Sequence, residues 1–185
     1  AERERRRGLE RYHHITGLPM NTTWNLGKLL WLRNHEPEHC AKTAKVCQCQ
    51  DYVLLTFGAG GFYTDGGAVA LSGMWDIRKY AWSDELLETF DIDRSLLPEV
   101  VLPGHQVGAI SREIAARTGI PAGAAIVAGA GEQHAAMVGA GVTGRERMSV
   151  SLGTGGLVGC FRKQCPESPD TSADIRNHSI EGPFP

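Results

Sequence analysis

No apolar run in this 185-residue sequence approaches the ~18 residues of a membrane-spanning helix, and the N-terminus has no signal-peptide core. A cytoplasmic protein without a membrane partner is therefore expected. Neither sign of charge dominates: 19 Lys and Arg stand against 21 Asp and Glu, so a nucleic-acid partner is not expected. The local exception, Glu2-Arg-Glu-Arg-Arg-Arg7, is interrupted by glutamates and reads as a solvated helix end. Cysteine is sparse and odd in number, with five residues. Cys47-Gln-Cys49 falls short of the roughly two to four intervening residues of a zinc hook, and Cys160 and Cys165 have no nearby His pair. Free thiols are expected, with no metal cluster and no disulfide framework. A Gly-Lys-Ser/Thr phosphate loop, a Ser/His/Asp arrangement, aromatic–basic interleaving and a fixed internal repeat are also missing.

What is present fits an ordinary globular chain: 42% hydrophobic and 22% charged residues, enough for one domain, or one domain and part of another. A charged helix to about His14 precedes the turn Thr16-Gly-Leu-Pro19. Asn25 is expected to cap an apolar-periodic helix ending before Pro37. A short helix from Pro37 to Ala44, a small strand at Lys45–Cys49 and a helix at Asp51–Phe57 closed by Gly58 follow. Gly58-Ala-Gly-Gly61 reads as a flexible turn into Phe62–Asp65. Ser83 opens a helix to Phe90, Leu96–Pro103 is extended, and Ser111 caps a helix to Thr118 after a strand at Val107–Ile110. Strands alternating with helices argue for an α/β architecture.

Two glycine-rich strand ends carry the chemistry. Ala124–Ala128 is apolar on both faces, as inside a parallel sheet, and runs through glycines to Glu132-Gln-His134 at a helix start. A carboxylate there suits a base acting on a bound hydroxyl, and the helix N-terminus favours its charge. Gln133 is suited to bonding a polyol hydroxyl, whereas His134 reads as a packed or solvent-facing helical residue. Then Met148–Leu152 reads as a strand entering Ser151-Leu-Gly-Thr-Gly-Gly156, whose open backbone N–H groups suit an anion nest. Together these ends point to phosphoryl transfer onto a small polyhydroxylated substrate.

Ordered motifs extend that reading. Thr16-Gly-Leu-Pro19 followed by Lys28-Leu-Leu-Trp-Leu-Arg-Asn-His35, then Asp51-Tyr52, Tyr63-Thr-Asp65, Met74-Trp-Asp-Ile77, Trp82-Ser-Asp-Glu-Leu-Leu87, Leu97-Pro-Glu99 and Val107-Gly108 resemble, in order, the FGGY family of carbohydrate kinases, most closely its xylulokinase-like members. Thr23 and Asn25 depart from the first family signature. The resemblance implies a ribonuclease-H-like (actin-like ATPase) fold of two domains with sugar and ATP meeting in the cleft between them. Residues 1–143 would be the later part of the N-terminal, sugar-binding domain, and 144–185 an incomplete beginning of the C-terminal, ATP-binding domain.

The resemblance also assigns roles. Glu132 stands where the family has the aspartate that takes the proton from the accepting hydroxyl, and Gln133 where a substrate contact often lies. Gly153, Thr154 and Gly155 resemble the loop that contacts ATP phosphates, with Mg2+ bridging them. Glutamate for aspartate moves the carboxylate by roughly 1 Å, a displacement that costs ~100-fold in rate when the pocket is not reshaped. The Asp-x-Gly-Thr phosphate motif occurs nowhere in the sequence, so the chain by itself is expected not to turn over. An ATP-dependent kinase for a ketose or related polyol is the expectation. The rival is a non-catalytic, truncated pseudokinase that binds a sugar or a partner protein. Thr23 and Trp24 disfavour glycerol, and a homo-oligomer is left open.

Overall fold

The computed structural model describes residues 2–153, 156–162, 164–165 and 175–176, apart from the side chains of residues 2–4. The charged N-terminus forms α1 (Glu2–Thr16), whose exposed start includes an Arg6 Nε–Glu10 Oε1 pair at 3.1 Å. Gly17 ends the helix at φ 69°, and the Thr16 hydroxyl donates to Tyr12 O at 2.9 Å and accepts Leu18 N–H at 3.1 Å. That turn drives Leu18 into the core at 0% exposure.

Helix α2 spans Asn25–His35. Asn25 is its first helical residue and not its cap: Trp24 holds the cap position with extended backbone and no side-chain bond. Asn21 instead uses its carboxamide oxygen on the Thr23 N–H and hydroxyl, at 2.9 and 2.8 Å, fixing the turn one step earlier. Next come α3 (Pro37–Ala41) and α4 (Cys49–Phe57). The expected strand at Lys45–Cys49 does not form. Val46 N–H reaches Leu96 O at 2.8 Å, but no ladder extends it, and from Cys49 onward the chain is helical. Gly58 closes α4 in the left-handed region at φ 112°.

A glycine turn leads into β1 (Tyr63–Asp65), α5 (Gly66–Val69), a 3-10 turn at Ala70–Ser72, β2 (Trp75–Asp76), β3 (Ala81–Trp82) and α6 (Asp84–Phe90). The Ser83 hydroxyl caps α6 by accepting Leu86 N–H at 3.3 Å. A second 3-10 turn at Arg94–Leu96 precedes β4 (Glu99–Val101), β5 (Gln106–Ala109) and α7 (Arg112–Thr118), which Ser111 caps. The last elements are β6 (Ala125–Val127), α8 (Glu132–Gly139), β7 (Met148–Leu152) and β8 (Gly156–Cys160).

The described strands form two-stranded pairs: β1 with β4 in parallel, and β2–β3, β5–β6 and β7–β8 antiparallel. The expectation that Ala124–Ala128 lies inside a parallel sheet is therefore overturned. β6 pairs antiparallel with β5, only Ile126 of its three residues is buried, and Val127 is 46% exposed. One apolar cluster gathers α1, α2, β2 and α6 around the fully buried Trp75, Leu18, Met74 and Ile77. A smaller one lies under β5 and β6, around Val107, Ile110, Ile126 and Ala128. All five cysteines are unbonded. Among the described residues no helix is long and apolar enough to cross a membrane.

Candidate active site at the start of α8

Beyond β6 the chain is tied down once more, by Ala128 N–H to His105 O and Gly104 N–H to Ala128 O, both at 2.8 Å. It then passes through Gly129-Ala-Gly131 and turns into α8, with Gly131 at the cap position. Glu132 occupies the first helical position and is exposed; Gln133 and His134 are half-buried. An exposed carboxylate on the positive end of a helix is accessible to a ligand hydroxyl and electrostatically favoured there. Gln133 presents an amide, one donor pair and one acceptor, in the adjoining position. His134 is a packing residue: its Nδ1 would lie 3.1 Å from a Cβ on Gly67 and 3.2 Å from one on Gly131.

Behind that turn stands a buried shell unforeseen from the sequence. Asp65, 3% exposed, ends the parallel strand β1 and caps α5: its Oδ1 accepts Gly67 N–H at 2.9 Å and Ala68 N–H at 3.0 Å. Burial pushes its carboxyl above the ordinary range, while the amides of Ala68, Gly67 and Gly131 pull it back. Tyr80, at φ 51°, lays its ring over Gly66 so closely that a Cβ there would overlap the phenol. Burial, with the Asp65 charge second, raises the Tyr80 hydroxyl pKa. The readable signal was Asp65-Gly-Gly67 after a short apolar run, a side-chain cap followed by residues that allow close approach.

Of the proposed phosphate segment, Ser151 and Leu152 lie in β7 and Gly156 opens β8, with Leu152 paired to Gly156. Gly153 is exposed, and among the described residues neither it nor Gly156 has an atom within 4 Å of where a Cβ would stand. Thr154 and Gly155 lie outside the described residues. The hairpin meets α8 where Gly159 packs against Met137, about five residues or ~7.5 Å along the helix from Glu132. Glu132 and Gln133 thus follow one another at the start of α8, one exposed and one half-buried, and the hairpin meets the same helix farther along.

A second polar spot lies outside this site. Asp51, 1% exposed, receives Gln48 N–H on Oδ2 at 2.8 Å, while among the described residues its Oδ1 and the nearby Thr64 hydroxyl are buried with no partner at full hydrogen-bond geometry. Both border a cavity of about 10 Å³ shared with Asn25, Gln48 and Ser72, close to the size of one water. Burial is the main cause lifting the Asp51 carboxyl to about 6, with the Gln48 amide and the nearby Thr64 hydroxyl opposing it and the Asp65 charge adding to it. Among the described residues no His, Cys, Asp and Glu group is arranged to hold a metal ion.

A mixed α/β scaffold with an acid–amide pair at a helix start suits an enzyme that acts on a hydroxyl, and comparison with known proteins supplies the family. Residues 2–139 match the N-terminal domain model of the FGGY family of carbohydrate kinases, and the chain belongs to that family. Similar curated proteins include the xylulose kinase of Lactococcus lactis subsp. lactis (strain IL1403), 32% identical over 161 residues, covering 86% of this chain and 31% of that protein. The xylulose kinase of Escherichia coli (strain K12) is 31% identical over 166 residues, covering 90% of this chain and 34% of that protein. Among solved structures, xylulose kinase from Rhodospirillum rubrum superposes with a TM-score of 0.86 at 24% identity, over 97% of this chain and 36% of that one. The fold is accordingly the ribonuclease-H-like, actin-like ATPase fold. The chain spans about a third of the length of the curated relatives it matches.

Proposed function

We propose that this chain is part of an ATP-dependent sugar kinase that transfers a phosphoryl group to a hydroxyl of a ketose or related polyol. The observation that carries the reading is the exposed Glu132 at the first position of α8 with Gln133 beside it, in a chain whose residues 2–139 match a carbohydrate-kinase domain. Glu132 accepts the proton of the attacking hydroxyl, and Gln133 holds a neighbouring hydroxyl so that the reacting oxygen is aligned. The segment Gly153–Gly155, with Thr154 as its side-chain ligand, receives phosphate oxygens. ATP would supply the phosphoryl group, and Mg2+, when bound with it, would neutralise the developing charge. Residues 1–143 would be the later part of the sugar-binding domain and 144–185 the beginning of the ATP-binding one.

Xylulose is the first sugar to test, because the similar curated proteins are named as xylulose kinases. The experiment is a panel of ketoses, aldoses and polyols incubated with ATP and Mg2+ and the full-length gene product, with the isolated 185-residue chain in parallel. The expected result is phosphorylation of a ketose by the full-length product and none by the isolated chain, whose sequence carries no Asp-x-Gly-Thr motif. Sugar-independent behaviour of the full-length product across the whole panel would overturn the reading and favour a pseudokinase.

A further inference from the structure

The turn that delivers Glu132 has little main chain to define it. Among the described residues, no backbone carbonyl receives the N–H of Gly129, Ala130 or Gly131. Its shape must come from elsewhere. Three polar atoms converge on one face of Gly67: a Cβ built there would lie 3.0 Å from Asp65 Oδ1, 3.1 Å from His134 Nδ1 and 3.5 Å from Gly131 N. The same carboxylate already accepts Gly67 and Ala68 N–H, and the Gly131 turn lies directly against Gly67, a Cβ on Gly131 standing 3.6 Å from Gly67 C and O. One buried anion thus fixes the start of α5, and the start of α8 packs on the residue it fixes. Donors bound to a buried charge are held more firmly than those bound to a neutral acceptor. Asp65 itself is fixed by the parallel pairing of β1 with β4, in which it stands opposite Val101.

We infer that Asp65 is a positioning residue for Glu132: it pins the Gly131 turn against Gly67 and so sets where the proposed base stands. The consequence for catalysis rests on the sugar-kinase reading above; the consequence for the turn does not. Glycine at positions 67 and 131 belongs to the same device, since a methyl group on either would meet His134 Nδ1 at 3.1–3.2 Å.

Two measurements separate these consequences. The first is amide hydrogen exchange on the 185-residue chain, comparing Asp65→Ala and Asp65→Asn with the wild type and with Ser83→Ala. The last removes a helix cap of similar kind from α6, away from α8. Asp65→Ala is expected to speed exchange at Gly67, Ala68 and Gly131 by at least about tenfold, with Asp65→Asn intermediate because it keeps an acceptor but loses the charge. Ser83→Ala should leave Gly131 unchanged. The second is steady-state phosphorylation by the full-length product, in which Asp65→Ala should lower kcat by roughly 10–100-fold while KM for ATP stays within about twofold, and Asp65→Asn should restore part of kcat. Unchanged Gly131 exchange in both Asp65 variants, or an equal change in Ser83→Ala, overturns the inference whatever the activity shows. If Asp65→Ala does not fold, Asp65→Asn alone decides it by the same criterion. A wild type that phosphorylates no sugar, with Gly131 exchange accelerated as expected, sinks the kinase reading and leaves the anchoring intact.

Discussion

Two regions of the chain are built differently. Around Trp75, thirteen buried apolar residues from Tyr12 to Leu97 form one cluster, and tryptophan indoles donate to backbone carbonyls, Trp24 to Pro19 at 2.7 Å and Trp82 to Pro98 at 3.0 Å. By contrast, no residue of α8 is buried, and β7 and β8 alternate between exposed and half-buried positions, with Leu152 86% exposed. The proposed chemistry sits in the second region. Local opening costs least where little apolar surface is buried, and ligand-handling segments are drawn from that end of the stability range. Substitutions should therefore sort by region: those in the first act on stability, those at the start of α8 on activity.

The largest stability effect is expected at the centre of the packed region. Trp75 is 0% exposed and contacts Tyr80 and Trp82 edge-on at 5.1 and 5.9 Å between ring centroids. Trp75→Ala should destabilise by about 3–5 kcal/mol, read as a lower midpoint in urea. A loss below about 1 kcal/mol would mean that the cluster is not the structural centre of the chain, and the contrast between regions would fail.

Asp51 sharpens the contrast from inside the same region. Burial raises its carboxyl from the ordinary carboxylate range to about 6, so the folded state binds the proton more tightly than the unfolded chain. Stability should accordingly fall as pH rises from about 4 to about 6, and ionised Asp51 should cost on the order of 2–3 kcal/mol at neutral pH. Asp51→Asn retains an acceptor for Gln48 N–H and removes the charge. It should raise the thermal midpoint at pH 7.5 and flatten this part of the stability profile. A lower midpoint with the wild-type slope retained would show that the carboxylate is already solvated, by a water in the adjoining cavity.

At the other extreme, Leu152→Ser on the exposed hairpin should change stability by no more than about 0.5 kcal/mol, as followed by the same urea transition. A larger loss would show that Leu152 is covered and that the second region is better packed than its exposure indicates.

Much of this arrangement was legible where a residue acts on its own neighbours. Ser83 and Ser111 cap the expected helices, Gly58 closes α4, and the Thr16–Pro19 turn stands where its residues put it, because each device is local. Asn25 and Lys45–Cys49 failed for the complementary reason: Asn21 had already satisfied the local turn, and an extended segment becomes a strand only with a partner that sequence does not name. β6 misled through composition, since Ala125 and Val127 are apolar yet exposed. Of the site, Glu132 and Gln133 were visible as polar residues at a helix start. Their support was not, because burial of Asp51 and Asp65 depends on packing by distant segments.

The most direct test of the account is the rate of ketose phosphorylation by the full-length product carrying Glu132→Gln, measured beside Glu132→Asp and the wild type. Removing a positioned general base is expected to lower kcat by about 10²–10⁴-fold, with Glu132→Asp retaining far more of the rate and the urea midpoints of all three alike. A Glu132→Gln enzyme as fast as the wild type would contradict the assignment of Glu132 as the base.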